Sequence, residues 1–288
     1  MNKVAILTDS NSGITQQKAK EMGIHVIPMP FMLNDKTYFE DINLTQEKFF
    51  EELINGVNIS TSQPAAGDVI EKWDELLKKY DEIIYIPMSS GLSTSCATAI
   101  MLAKEYDNKV QVANNHRISV TQMQAALDAK VLAQQGRSAV EIKEYLEGTK
   151  DDSRIYIMVD DLNYLKKGGR VTPAGAAIGS ILQIKPVLKI EGDKLDAYSK
   201  ARGVKQAKKI MIDAIKNDLK TIFKECNSPD DMWLQMAYTY DLEAALEFKR
   251  EYEEAFEGYD ICMYPLSLNI SCHIGPGALA LGCTKKMK

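Results

Sequence analysis

The sequence predicts an α/β protein in two domains, and three observations carry that prediction. Short runs rich in Val and Ile alternate with segments of helical spacing through the first half, the pattern of βα units on a largely parallel sheet. A polar stretch, EGTKDDSR at 147–154, interrupts the alternation. Beyond it come paired strands, a long helix and further strands, the pattern of a mixed sheet. At 288 residues the chain also exceeds the commonest single-domain size. The expected division is an N-terminal parallel-sheet, Rossmann-like domain over residues 1–151 and a C-terminal mixed-sheet α/β domain over 152–288.

In the first half, strands are expected at Val4 to Leu7, His25 to Pro28, Ile83 to Met88 and Val110 to Ala113, where β-branched residues cluster. The clearest helix follows TSQP: Val69, Ile70, Trp73, Leu76, Leu77 and Tyr80 form one continuous apolar stripe at helical spacing. Pro64 suits its first turn, where a missing N–H costs nothing. Further helices are expected from Thr45 to Ile54, Thr94 to Tyr106, Thr121 to Gln135 and Ser138 to Leu146. In the last of these, Ser138 and Glu141 have the spacing of a capping box.

EGTKDDSR reads as a linker. After it a strand is expected at Ile155 to Val159, then the glycine-interrupted LKKGGRVTPAGAAIGS. Strands Pro186 to Ile190 and Lys194 to Ser199 flank EGD, a hairpin signal. A helix from Val204 to Lys224, a strand Trp233 to Tyr238, a helix Leu242 to Ala255 and a strand Ile261 to Tyr264 complete the series.

Composition excludes several function classes. Net charge is −5 and the pI near 5.4, without the positive footprint that phosphate-backbone binding requires, so nucleic acid is not an expected partner. The positive run Lys200, Arg202, Lys205, Lys208 and Lys209 is either a solvated helix face or a docking surface for an acidic partner. The opening MNKVAILTDS lacks the features of a secretory signal, and no apolar run approaches the roughly 20 residues needed to span a bilayer. Cys96, Cys226, Cys262, Cys272 and Cys283 are scattered without a CxxC pair, which favours reduced thiols and a cytoplasmic location. Three histidines without HxxxH or HExxH spacing give no transition-metal ligand set, so no metal or cofactor is expected. Neither GxxxxGK[ST] nor GxSxG is present.

Three segments carry candidate chemistry. SSGLSTS (89–95) places hydroxyls where a strand turns into a helix, at the carboxyl end of a parallel strand. There the helix supplies unpaired N–H groups and a partial positive charge, which attract an anion. STSQP (60–64) repeats the design. Each set of hydroxyls either caps its own helix or donates to a shared anion. HIGPGAL (273–279) sets His273 beside Gly275 and Gly277, where backbone can approach a ligand closely. A Ser93–His273–Asp9 triad can also be drawn, although nothing in the sequence fixes its geometry.

Taken together, LTDSNSGI (7–14), STSQP, SSGLSTS, LKKGGRV (165–171), GSILQIKPVL (179–188), SKARG (199–203) and HIGPGAL resemble the DegV family of bacterial fatty acid-binding proteins, the FakB-type subunits of a two-component fatty acid kinase. The motifs span the whole chain, and their number and order make the resemblance specific. Two segments depart from the pattern: Thr94 stands where the family has glycine, and NNHRISVT (114–121) replaces DSxxxSxG while keeping Ser119.

The resemblance implies a non-enzymatic carrier that encloses a long-chain fatty acid between its two domains. The carboxylate would be held by Thr61, Ser93 and His273. The chain would present it to a separate ATP-dependent kinase subunit that forms acyl phosphate for phospholipid synthesis, with a membrane acyltransferase as a candidate onward partner. Arg202 would lie on the kinase-docking surface. For the acyl slot, TPAGAAIGSILQI offers Ile178, Ile181 and Leu182 beside small residues, and IPMPFML offers Ile27, Met29 and Phe31; close core packing explains the first segment equally well. A monomer is expected. The alternative is a serine hydrolase acting on a lipid ester through Ser93 and His273.

Overall fold

A computed structural model describes residues 3–178, 184–191 and 194–288. It begins with β1 (Val4–Asp9), α1 (Gln16–Met22), β2 (His25–Ile27), β3 (Phe31–Leu33) and β4 (Lys36–Tyr38). There follow α2 (Gln46–Ile54), β5 (Ile59–Thr61), α3 (Ala66–Leu77), β6 (Glu82–Ile86) and α4 (Ser95–Ala103). Then come β7 (Val110–Val112), α5 (Ser119–Gln134) and α6 (Ala139–Gly148). The order β2-β1-β6-β7 forms a wholly parallel sheet. Its central strands are apolar along nearly their whole length because helices cover both faces.

The rest of the chain runs β8 (Ser153–Met158), α7 (Asn163–Gly168), α8 (Pro173–Ile178), β9 (Lys185–Glu191), β10 (Lys194–Ala201) and α9 (Val204–Thr221). It ends with β11 (Met232–Tyr238), α10 (Leu242–Ala255), β12 (Ile261–Pro265), α11 (Leu268–Ile274) and β13 (Leu279–Lys285). Its sheet has the order β10-β9-β8-β13-β11-β12 and is mixed, with β11 and β12 parallel and the other pairs antiparallel. Tyr156, Leu234, Met236, Leu279 and Leu281 face α9 and α10 on one side. Ile155, Ile157, Val159, Ala237 and Ala280 face the N-terminal half on the other.

The expected α/β class, with a parallel N-terminal sheet and a mixed C-terminal one, is what the structure contains. Ser138 does cap α6 in a reciprocal box with Glu141. Three differences matter for the site. EGTKDDSR is barely a linker: α6 runs through Gly148 and β8 starts at Ser153, with the Arg117 Nη2 group donating to Thr149 O at 2.8 Å. The first α3 residue is Ala66, so Pro64 precedes the helix and the STSQP hydroxyls do not cap it; instead β5 ends on Thr61. That strand pairs with β3 in a small antiparallel sheet, β4-β3-β5, which sequence periodicity does not reveal because each strand has three residues. Phe31, Leu33, Phe49, Phe50 and Leu53 pack this sheet and α2 onto Leu268 and Cys272 of α11.

α5 joins the two large sheets. It is buried on nearly every side, and Gln122 donates to Thr8 Oγ1, Asp9 Oδ1 and Ile86 O at the carboxyl ends of β1 and β6. On its other flank Val120 O accepts from Gln235 Nε2 of β11 at 2.9 Å.

Candidate functional site

Three segments distant in sequence meet above the inner face of the mixed sheet. Thr61 arrives on β5, Ser93 on the turn between β6 and α4, and His273 on the last turn of α11. Thr61 Oγ1 and His273 Nε2 lie 2.8 Å apart. Ser93 Oγ donates to Ser95 Oγ at 2.9 Å and accepts the Ser95 N–H at 3.2 Å, which ties the turn to the first residue of α4, and Ser93 lies on the cavity wall. The other hydroxyls of the turn are engaged locally: Ser89 Oγ takes the Gly91 N–H, Ser90 Oγ the Asn114 amide, and Thr94 donates to Gln63.

His273 is placed by two close approaches that only glycine permits. A Cβ at Gly168, the last residue of α7, would collide with the imidazole, and one at Gly275, where φ is +77°, would collide with the Tyr164 ring. Burial, and then the nearby Arg170 charge, push the His273 pKa down to about 4. At neutral pH the ring is therefore uncharged and offers one donor and one acceptor.

These residues rim a cavity of about 360 Å³. Thr61, Ser62, Gln63, Ser90, Ser93 and His273 are polar groups on its wall, and the remainder is largely apolar: Met88, Ile118, Val120, Ile155, Ile157 and Ala280 are representative. Arg170, half-buried on the same wall, donates from Nε to Leu92 O at 3.4 Å and from Nη1 to Gly168 O. It and Ser119, held at φ +54° at the start of α5, were not singled out as site residues by the sequence. LKKGGRV contains the arginine but shows no spacing that marks it as functional. A polar rim on an apolar cavity, beside the N-terminus of α4, suits an amphiphile with an anionic head.

Of the expected acyl slot, Met29 lines the cavity. Ile27 and Phe31 do not, and the reason is strand direction. Ile27 turns into the core around Trp73, and Phe31 meets Phe49 edge to face at 5.5 Å in the core beneath the small sheet. Ile181 and Leu182 lie outside the described residues, and so does the side chain of Ile178. Arg202 is exposed, beyond the cavity wall, where its N–H donates to Gln206 Oε1 at 2.6 Å. The surrounding positive run is partly neutralised, since Lys208 bonds Glu247 and Glu251 and Lys209 bonds Asp213.

The drawn triad is not assembled. The His273 Nε2 bond goes to Thr61 and the Ser93 bond to Ser95. Asp9 is fully buried and spends its carboxylate on Met88 N at 2.8 Å, Asn11 N at 2.9 Å and Gln122 Nε2 at 3.1 Å. Burial outweighs those bonds and raises its pKa to about 6. Asp9 thus fixes the start of the 88–93 turn from below. Among the described residues, no cluster of three or more His, Cys, Asp or Glu side chains is arranged to hold a metal, and no helix is long and apolar enough to cross a membrane.

Comparison with known proteins places this geometry. A family model for "Uncharacterised protein, DegV family" matches residues 3–286. A DegV domain-containing protein of Staphylococcus aureus (strain N315) is 30% identical over 293 residues, covering 99% of this chain and 100% of the relative. Protein DegV of Bacillus subtilis (strain 168) is 36% identical over 208 residues, 71% of this chain and 74% of its own length. Among solved structures, DegV of Bacillus subtilis, a fatty acid binding protein, superposes with a TM-score of 0.84 at 29% identity, covering 99% of this chain and 100% of that one. The Thermus thermophilus DegV family protein, solved with reference to its fatty acid binding, gives 0.87 at 25%, with coverage of 99% and 100%. The chain belongs to the DegV family.

Proposed function

We propose that this protein binds a long-chain free fatty acid in the 360 Å³ cavity, its carboxylate at Thr61, Ser93 and His273 and its tail along the inner face of the mixed sheet. The observation that carries the reading is the division of one cavity into a hydroxyl-and-imidazole rim and an apolar body. Fatty acid binding by the two solved relatives supports it. A carboxylate leaving water needs charge-assisted donors: the bonded Thr61–His273 pair has one proton to turn toward it, the Ser93 hydroxyl gives a second on turning away from Ser95 Oγ, and the N-terminus of α4 and Arg170 lie on the same wall. The tail supplies most of the affinity: at about 0.8 kcal/mol per methylene, a tail of about fourteen contributes ~11 kcal/mol before ordering and association costs.

The carrier then presents the carboxylate to a separate ATP-using kinase subunit in the cytoplasm, which makes the acyl phosphate for phospholipid synthesis while the tail stays bound. Arg202 belongs to the docking surface. It follows β10, whose last residue Ala201 is in register with Lys185, and Lys185 is paired with Asp160 beside the Gly277 turn. This places Arg202 at the edge of the sheet from which the His273 turn rises.

Denaturing the purified protein, extracting it with organic solvent and identifying the extract by mass spectrometry tests the binding step. Stoichiometric long-chain fatty acid is expected; a protein that is empty and also fails to take up oleate or palmitate overturns the reading. Arg202→Ala tests the second step: lipid loading should be unchanged and acyl phosphate formation by the kinase slowed. Loss of loading would show that Arg202 is misassigned.

A further inference from the structure

The segment after Thr61 crosses the opening of the cavity with little backbone bonding of its own. Ser62 and Gln63 line the cavity and are exposed, which puts them at its mouth. β5 ends at Thr61 and α3 begins at Ala66, and the N-cap of that helix, Ala65, has no side chain to bond the first turn. Among the described residues, the backbone of 62–65 makes two hydrogen bonds: the Ser62 N–H donates to Pro30 O at 3.4 Å, and Ala65 O accepts from Val69 at 3.2 Å. One side chain ties the segment down. Gln63 Oε1 accepts the Thr94 hydroxyl at 3.1 Å and the Thr98 hydroxyl at 3.0 Å.

Thr94 and Thr98 are four residues apart at the start of α4 and share one face of it, so a single carbonyl oxygen takes both donors. Thr94 is the N-cap of α4, a position where threonine ordinarily bonds an N–H of the first turn. Here its backbone is helical and it makes no such bond; the hydroxyl reaches 31 residues back to Gln63 instead. The cap is given up for a cross-link. That link spans the mouth from the strand end that carries Thr61 to the turn that carries Ser93. A glycine at position 94, which the DegV pattern has there, could not make it.

We propose that Gln63, gripped by Thr94 and Thr98, is a strap over the mouth of the cavity, and that its opening sets the rate at which the ligand enters and leaves. This rests on the fatty acid reading above. Thr94 and Thr98 act through Gln63 and are positioning residues. A barrier common to entry and exit changes both rates by the same factor and leaves the dissociation constant where it was, which the loss of a ligand contact does not. One neutral hydrogen bond that must break before the strap opens is worth about fivefold in each rate.

Stopped-flow uptake of fluorescent cis-parinaric acid, and its displacement by excess oleate, measure the two rates. Thr94→Val and Thr98→Val remove the hydroxyls at nearly constant shape; each should speed uptake and release by about fivefold, and the double variant by more, with the dissociation constant held within about twofold. Thr94→Ser keeps the donor and should exchange at the wild-type rate. Faster release with unchanged uptake would make these threonines ligand contacts, and rates that no variant changes would leave the strap without effect; either result overturns the proposal. Amide hydrogen exchange at Ser62, Gln63 and Ala65 in the ligand-free protein reads the strap without any ligand: it should quicken in Thr94→Val and not in Thr94→Ser, and unchanged protection overturns the strap. A wild type that takes up neither acid overturns the fatty acid reading instead, and hydrogen exchange still decides whether the strap holds.

Discussion

The rim and the body of the cavity are assembled on opposite principles. Thr61, Ser93 and His273 come from a strand end, a turn and a helix end separated by up to 212 residues, each fixed by its own local device: a short strand pairing, a bond to the first residue of α4, and two glycine-permitted approaches. The body comes mostly from one continuous surface, the inner face of the mixed sheet, with Ile155, Ile157, Ala237 and Ala280 held in register by the strand ladder. Each rim group therefore controls one interaction, whereas a change in the body alters the space available to the whole tail.

The largest effect should follow from blocking the body. Ala280 lines the cavity at the centre of the sheet, and Ala280→Phe places a ring where several methylenes would lie. Displacing about five of them at roughly 0.8 kcal/mol each weakens binding by about 10³-fold. The ligand-free protein should keep its melting temperature, because the ring occupies a cavity and not a packed core. Titration with oleate beside a thermal melt checks both parts; unchanged affinity would remove the tail from this surface.

Breaking the rim should cost less. His273→Ala removes one donor to a charged group and leaves Thr61 without its 2.8 Å partner, a loss of about 1.5–3 kcal/mol, or roughly 10- to 150-fold in affinity. The loss should be the same for every chain length, unlike that of a body variant, and competition binding with two fatty acids of different length reads the distinction. A loss that grows with length would mean that the imidazole contacts the tail.

The same contrast explains what the sequence discloses. The rim segments are legible as motifs: hydroxyls beside a helix start and a histidine followed by two glycines draw the eye to Ser93 and His273, although local chemistry leaves helix capping open and only the family resemblance joins them with Thr61. Thr61 is found for a partly mistaken reason, since its segment ends a strand of the small sheet and does not open a helix. The body is hidden because it depends on register. Ala237, Ala280 and Gly282 become a wall only when β11 and β13 pair, and β13 itself is too near the chain end to be read as part of a βα unit. Ile27 and Phe31 look as suitable as Met29 in IPMPFML, yet three-residue strands turn them into two other cores. Arg170 is missed because what makes it part of the rim is tertiary: a carbonyl of the SSGLSTS turn accepts its Nε.

The smallest effect concerns how the rim is supported. Glu40, in the loop between β4 and α2, accepts the Leu268 N–H at 2.8 Å and the Gln46 amide at 3.1 Å, and so ties the first turn of α11, the helix that carries His273, to the start of α2. Burial outweighs these two bonds and raises its pKa to about 7. An acid whose folded pKa exceeds its unfolded value binds protons more tightly when folded; its stabilising contribution is complete below about 4.5 and is lost as pH rises through about 7. Asp9, with a folded pKa of about 6, acts in the same direction, whereas His273, with a folded pKa of about 4 against 6.5, acts oppositely and destabilises the fold as pH falls between those values. Glu40→Gln keeps an acceptor for Leu268 and removes one of these titrations. It should raise stability by about 1–2 kcal/mol at pH 8, have little effect near pH 4.5, and flatten the profile between. Urea unfolding at a series of pH values measures this directly. A variant that shifts the whole profile by a constant amount would show that Glu40 acts only through its hydrogen bonds. If His273→Ala removes the opposite slope below pH 6.5 in the same assay, the acid tie and the imidazole are the two titrating elements of one rim.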